Sequence, residues 1–426
     1  MDSIQLNGSA NDPAENTAKA HGGAPAQRAS REVLILGENR WGLSVARSLH
    51  RAGHGVTLVH DSNLPCTRHS RAVKESWRHP PYESPEFAPA FSEFLRQRPE
   101  IDLIIPLGDN DLTALAMNQV PLPESAEYFG PSDGTLRLCL DKAAMCALAD
   151  ELAIPQAKFV IAHDLASLQD AYGAVGFPCL VKPTDQLARI NGEKAVILHG
   201  EEDVARYLPE WPEGNDNVFV QRYVTGPRHN LHFIARHGQL LTCAETRALR
   251  TTRVNYTGYT VEAITVAPDP DLQDYTERLV RDLGYHGFGC AQFLVDPAAE
   301  SPVSFLELNP RLGAAFAVTL ASGIDLPAAA LRLTEEGGKA VEPYAAGRRM
   351  AWIYGDLLGL VRALQCREIG PAQTALWLAR CARSLWRADI HATWSWADPL
   401  PSLALATQWI PRRFRRWSGT EQQSQV

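Results

Sequence analysis

The stretch Phe305-Leu306-Glu307-Leu308-Asn309-Pro310-Arg311 decides how this chain is read. An alternating run that ends at a proline reads as a strand, and successive strand side chains point to opposite faces. Glu307 and Asn309 therefore share a face. The preceding strand, Gly289–Val295, carries Gln292 in Cys290-Ala-Gln-Phe-Leu294, and Asp296-Pro-Ala-Ala-Glu-Ser-Pro302 joins the two. A hairpin centred between Ala299 and Glu300 sets Gln292 opposite Glu307. Three oxygen-bearing side chains, Gln292, Glu307 and Asn309, then converge without Cys or His. Hard donors of this kind suit Mg²⁺ (or Mn²⁺) rather than zinc, and Mg²⁺ keeps waters and phosphate oxygens, so few protein ligands suffice. Arg311 follows closely enough to hold an anion beside the metal. The competing reading is a surface hairpin with a polar wet face.

Upstream, Val33-Leu-Ile-Leu36 reads as a buried strand. The loop Gly37-Glu-Asn-Arg-Trp-Gly42 follows, then a helix Leu43–Arg51 broken by Gly53 and Gly55, then a strand Val56–Val59. One β-α-β unit implies a parallel sheet. Ile101-Asp-Leu-Ile-Ile105 is a further buried strand, ending in Pro106-Leu-Gly-Asp-Asn-Asp111. Ligands of open α/β sheets bind at such carboxyl ends. The Gly37 loop lacks both G-x-G-x-x-G and the Lys-Ser/Thr of a P-loop, so it marks a Rossmann-like domain without marking a nucleotide. A helix is expected over Asp141–Leu152. Strands are expected at Phe159–Ile161, Cys179–Val181, Ala195–Leu198, Val218–Gln221 and Leu231–Ala235, and a helix from Asp271 to about Leu283.

The 426 residues are 45% hydrophobic and 21% charged, the balance of a globular chain with two or three domains. Disordered, collagenous and coiled-coil classes are excluded. Residues Met1–Ser30 bear too little apolar surface to offset the entropy of ordering and read as a disordered tail. No run of about 18 apolar residues occurs, and Met1-Asp2 opens no signal peptide, so a cytoplasmic protein is expected. The net charge is −8, yet residues 348–426 carry eleven Arg against five acidic residues. An acidic body argues against a nucleic-acid binder. The eight cysteines form no CxxC and no zinc spacing, and read as reduced thiols.

Two lysines stand out. Lys142 opens a helix after Asp141, and Lys182 ends the strand Phe177-Pro-Cys-Leu-Val-Lys-Pro183. A lysine ending a buried strand is costly unless it meets an anion such as phosphate. The other reading is a solvated lysine. Val218-Phe-Val-Gln-Arg-Tyr-Val224 can present an amide and backbone groups to a flat base, although many strand-turn junctions look like this.

In order, Lys142, Lys182, a loop with Gly192 and Lys194, Gln221, Gln292 and Glu307-x-Asn309-Pro-Arg311 resemble the ATP-grasp superfamily, over roughly Val33–Leu333. The resemblance extends to "DLIIPLGDND", "FGPS…LDKAAM" and "LNPRLGA…ASGIDLP". It implies an α/β chain: a disordered tail (1–30), a Rossmann-like N-terminal domain (31–135), a two-subdomain ATP-grasp fold (136–340, lid about 155–218) and a basic, helical C-terminal appendage (341–426). It further implies that Lys142, Lys182 and Lys194 contact ATP phosphates. Gln221 would accept from the adenine amino group, with Tyr223 and the Val224 backbone beside the ring. Arg228-His229 is similar to a pair in biotin carboxylase, which brings His229 toward the nucleotide. Gln292, Glu307 and Asn309 are similar to the metal set of carbamoyl phosphate synthetase, and Arg311 matches the arginine that steadies anionic intermediates. The lid loop is poor in glycine, and Gln replaces a carboxylate at positions 221 and 292. A nucleotide-binding protein without turnover is therefore the alternative.

Most members join a carboxylate to an amine through an acyl phosphate, releasing ADP. The chain is too short for a carbamoyl phosphate synthetase and lacks a biotin-carrier segment. The resemblance thus implies a stand-alone carboxylate–amine ligase, similar to D-aspartate ligase, acting on small molecules and not on nucleic acid. A homodimer is the expected assembly. Arg247, Arg250 and Arg253 are candidates to grip substrate carboxylates, or else solvated strand-edge arginines. Ala372–Ala388 reads as an amphipathic helix with Arg380, Arg383 and Arg387 on one face, followed by Trp409-Ile-Pro-Arg-Arg-Phe-Arg-Arg-Trp417. This basic, aromatic region suits either peripheral membrane contact or a packed appendage.

Overall fold

The structure is a computed structural model that describes residues 30–61, 66–117, 120–184, 188–193, 195–256, 258–299, 301–336 and 343–412. It is built on three sheets. The first is parallel and holds β1 (Glu32–Leu36), β2 (Gly55–His60), β3 (Glu75–Arg78), β4 (Ile101–Pro106) and β5 (Glu127–Tyr128), in the order β3-β2-β1-β4-β5. The continuous apolar run of β1 is explained by burial on both sides. Val33 and Ile35 join Val45 and Leu49 under the helix Arg40–Arg51, whereas Leu34 and Leu36 pack with Phe87, Phe91 and Phe94. Asn39 starts that helix by accepting from the Gly42 amide at 2.7 Å. Gly37 is required before it. Its φ is +109°, and a Cβ there would lie 2.3 Å from an Asp111 carboxylate oxygen.

The second sheet is antiparallel: β6 (Phe159–Ala162), β7 (Cys179–Pro183), β8 (Val196–Leu198) and β9 (Val218–Arg222), in the order β6-β9-β7-β8. The third holds β10 (Arg228–Arg236), β11 (Gln239–Thr251), β12 (Thr260–Thr265), β13 (Gly287–Val295), β14 (Val303–Asn309), β15 (Arg349–Ala351) and β16 (Ile390–His391), ordered β14-β13-β10-β11-β12-β15-β16. One face buries Leu231, Phe233, Phe293 and Phe305 with Leu272 and Leu279 of the helix Pro270–Asp282. The other face contributes Ile234, Ala244 and Phe288 to the core shared with the first sheet.

The C-terminal region corrects one expectation. It is not only a helical appendage, because β15 pairs with β12 and β16 extends the same sheet. An uncovered β12 edge would leave backbone groups without partners, and β15 supplies them. The helices Ile353–Gln365 and Pro371–Arg387 follow. Asp398, nearly buried, accepts from Arg47 Nε at 2.9 Å and Ser70 Oγ at 2.5 Å, tying this region back to the first sheet's helix. The basic stretch from Arg413 to Trp417 lies outside the described residues. Among the described residues no helix is long and apolar enough to cross a membrane.

Candidate active site

The β13–β14 hairpin pairs Gln292 with Glu307 and Cys290 with Asn309. A bulge follows, since Phe293 pairs with Phe305 and leaves Leu306 as the extra residue. The bulge keeps Phe293 and Phe305 in the core while Glu307 stays on the opposite face. There Asn309 Nδ2 donates to Glu307 Oε1 at 2.9 Å, and Asn230 on β10 pairs with Gln292. One carboxylate and two amide oxygens form a donor set suited to Mg²⁺ or Mn²⁺ with water and phosphate completing the shell. Among the described residues no cluster of three or more His, Cys, Asp or Glu competes as a metal site.

Two lysines meet at the end of β7. Lys182 Nζ donates to Gln221 Oε1 at 3.3 Å and sits 4.6 Å from the centre of the Phe219 ring. Lys142 Nζ donates to the Pro183 carbonyl at 3.3 Å, from a helix (Lys142–Glu151) capped by Asp141. Burial lowers the Lys182 pKa, against the opposing pull of Cys146 and Glu307. Gln221 is buried, and its Nε2 has no partner among the described residues. Gln221 therefore keeps its Nε2 donors free, and its oxygen, which accepts once from Lys182, retains a second lone pair. The Tyr223 amide donates to the Pro178 carbonyl at 3.0 Å. Val224 lies in the connection between β9 and β10. Lys194 lies outside the described residues.

Arg311 leaves the hairpin and reaches the first sheet. Its Nε and Nη2 donate to Asp109 Oδ1 and Oδ2 at 2.8 and 3.0 Å. Burial works against its charge, but Asp109 more than offsets this and holds the group above the ordinary arginine value.

Other candidates are placed elsewhere. His229 pairs across the strand with Phe293, on the face opposite Gln292, and its Nδ1 lies 2.6 Å from Glu245 Oε1. Strand alternation thus turns His229 away from the metal set, contrary to the expectation. Arg250 is spent on structure. Its Nε donates to Glu262 at 2.9 Å, and its terminal nitrogens bind the buried carboxylate of Asp356. Arg253 pairs with Glu193 at 3.4 Å. Arg247 pairs with His229 across the ladder and so shares the far face.

Sequence reasoning missed the first-sheet loops. Glu38, buried against Arg68 at 3.1 Å, is pushed up to about 7 by desolvation. Asp111 is raised to about 6 by burial, despite accepting from Tyr82. Both follow strand carboxyl ends, Glu38 after β1 and Asp111 after β4, the one signal that could have flagged them. Arg40, the first residue of the helix after β1, is 3% exposed. Its guanidinium carbon lies 3.5 Å from the centre of the Trp352 ring.

Residues 141–339 match the family described as carbamoyl-phosphate synthase L chain, ATP binding domain. Formate-dependent phosphoribosylglycinamide formyltransferase of Hahella chejuensis is 26% identical over 311 residues, spanning 70% of this chain and 72% of that protein. Acetyl-CoA carboxylase of Dictyostelium discoideum is 30% identical over 171 residues, 37% of this chain and only 7% of its own length. Among solved structures, N5-carboxyaminoimidazole synthetase from Staphylococcus aureus complexed with ADP aligns with a TM-score of 0.60 at 14% identity, covering 76% of this chain and 83% of that one. L-amino acid ligase from Bacillus licheniformis aligns at 0.56 and 16% identity, covering 72% and 74%.

Proposed function

We propose that this chain, whose residues 141–339 form an ATP-grasp domain, is an ADP-forming ligase joining a small-molecule carboxylate to an amine. The observation that carries the reading is the β13–β14 register, which sets Gln292 opposite Glu307 with Asn309 bonded to Glu307 on the same face and Arg311 following, held by Asp109. Lys142, Lys182 and Lys194 take the phosphates of ATP, and Gln221, Tyr223 and Val224 take the adenine. Glu307, Gln292 and Asn309 would hold Mg²⁺ (or Mn²⁺), whose charge offsets that of the transferring phosphoryl group.

A carboxylate oxygen attacks the γ-phosphorus, the β–γ bridging P–O bond breaks, and ADP leaves. The lysines balance the charge that builds on the phosphate oxygens. The amine nitrogen then attacks the acyl carbon, loses a proton, and expels phosphate as the amide forms. Arg311, held by Asp109, steadies first the carboxylate and then the oxyanion. Positioning and charge stabilisation account for the chemistry. Nothing among the relatives favours nucleotide binding without turnover.

The test is release of ADP and phosphate from Mg-ATP against pools of amino acids and carboxylates, with Glu307→Ala as control. Release that needs both a carboxylate and an amine, and is lost in the variant, supports the ligase. ATP binding without turnover in every pool counts against it. We place the reaction in the cytoplasm, where ATP is supplied. Peripheral membrane contact is a second reading, favoured by Trp386 and Trp396, 86% and 88% exposed, in a region that also exposes Arg380, Arg383 and Arg387. Failure to float with anionic liposomes would sink it, and sedimentation tests a homodimer.

A further inference from the structure

We propose that Arg40 and Arg228 form an anion subsite for a second acidic group of the substrate, distinct from the carboxylate that reacts beside Arg311. The inference rests on the ligase reading above and names the class of acid that the site takes: one with an additional carboxylate or a phosphate.

Arg40 opens the helix Arg40–Arg51 at the carboxyl end of β1 and is 3% exposed. None of its three guanidinium nitrogens has a hydrogen-bond partner among the described residues. Burying a charge without a counter-charge or hydrogen bonds is strongly unfavourable. The same chain shows the usual remedy at Arg250, which carries two carboxylates, Glu262 and Asp356. Arg40 has none. It has instead two aromatic faces, the Trp352 ring with its centre at 3.5 Å and the Tyr259 ring at 5.7 Å. Stacking holds a guanidinium by its flat face and leaves its in-plane N–H donors for a planar oxyanion.

The charges around Arg40 do not supply that anion. Its ionic neighbours include two more cations, Arg228 and Arg311, and with burial they pull its pKa down to about 9. Arg311 is already engaged by Asp109. Arg228 binds only neutral oxygens, the Gly258 carbonyl at 3.2 Å and Thr260 Oγ1 at 2.9 Å, and its Nε has no partner. Trp352 Nε1 is a further buried donor without a partner among the described residues. The Arg40 guanidinium, the Arg228 Nε and the Trp352 indole N–H are thus left without an acceptor among the described residues. Arg311 and Glu307 are only partly buried, with 18% of the Arg311 side chain exposed, and this is the side from which a ligand would enter. An acid that places one carboxylate at Arg311 sets a second anionic group against Arg228 and Arg40.

The experiment is thermal unfolding of the full chain with inorganic phosphate, succinate, acetate or chloride. A non-hydrolysable ATP analogue with Mg²⁺ is added to fill the phosphate-binding lysines. Wild type is expected to be stabilised by phosphate or succinate at concentrations where acetate and chloride have no effect. A phosphate response alone assigns a phosphorylated substrate, a succinate response alone assigns a second carboxylate, and both assign the shared chemistry. Arg40→Met should unfold no earlier than wild type without anion, because it removes an unpaired buried charge. Its anion affinity should fall about tenfold or more, the worth of a charged hydrogen bond. Arg40→Lys should keep a weaker response. An equal response in Arg40→Met, or no dianion response in wild type, overturns the proposal. Binding of the nucleotide is measured separately by calorimetry. Its absence would defeat the ligase reading while the anion response still decides the subsite.

Discussion

Arg311 and Asp109 form a two-bond ion pair across 202 residues of chain, joining the β14 hairpin to the loop after β4. The pair fixes the guanidinium plane where two sheets meet. It leaves Arg311 charged and oriented beside Glu307, so the proposed oxyanion donor is set in place before substrate binds.

Arg311→Met should lower kcat/KM by about 10²–10³, the usual cost of losing one oxyanion donor. Asp109→Asn should cost less, roughly tenfold, because the arginine remains but loses its orientation. The double variant should be no worse than Arg311→Met alone, since residues that act as a unit are not additive. Steady-state ADP release measures all three.

Among the described residues Lys182 has only the neutral amide of Gln221 as its hydrogen-bond partner. Lys182→Met should therefore leave the nucleotide-free protein as stable as wild type. It should weaken Mg-ADP binding by roughly tenfold or more, as one charge-assisted phosphate contact is lost. Calorimetric titration with Mg-ADP, beside a melting curve, separates the two effects.

Arg250 is a stability residue on this structure. Arg250→Met leaves the Asp356 carboxylate, only 2% exposed, without its cation, while Glu262 keeps Arg349 at 3.4 Å. The expected loss is about 3–5 kcal/mol, the range for breaking a buried ion pair. KM for the acid substrate should not change at a temperature where the variant stays folded. Urea unfolding and steady-state kinetics together check this, and a KM rise with little loss of stability would return Arg250 to the substrate site.

His232 is fully buried, and burial lowers its pKa to about 3. The native state therefore keeps it neutral, while the unfolded chain protonates near pH 6.5. Its contribution is complete above that pH and is lost as pH falls toward 3. At pH 4.5 the loss is on the order of 2–3 kcal/mol. His232→Gln should flatten this dependence, so the stability gap between wild type and variant should shrink from pH 7 to pH 4.5 in urea titrations.

The readable parts of the fold are those governed by local pattern. The buried run of β1, the helix start at Asp141 and the register that sets Gln292 opposite Glu307 all follow from neighbours along the chain or across one hairpin. His229 shows the limit. The motif brought it to the nucleotide, but alternation along β10 turns it to Glu245. Arg250 and Arg253 were equally ambiguous, because their carboxylate partners Glu262, Asp356 and Glu193 lie in other elements.

The sequence by itself determined an α/β chain with a parallel first sheet, an oxygen-only donor set and two lysines at strand and helix ends. Those features depend on periodicity and residue chemistry, which act over a few positions. Only the tertiary structure decided which cations are neutralised and which are left open. Asp109 engages Arg311 and Asp356 engages Arg250, whereas among the described residues Arg40 meets the rings of Trp352 and Tyr259 and no carboxylate. A charge is balanced by whatever the packed chain brings within a few ångströms, and that choice belongs to the fold.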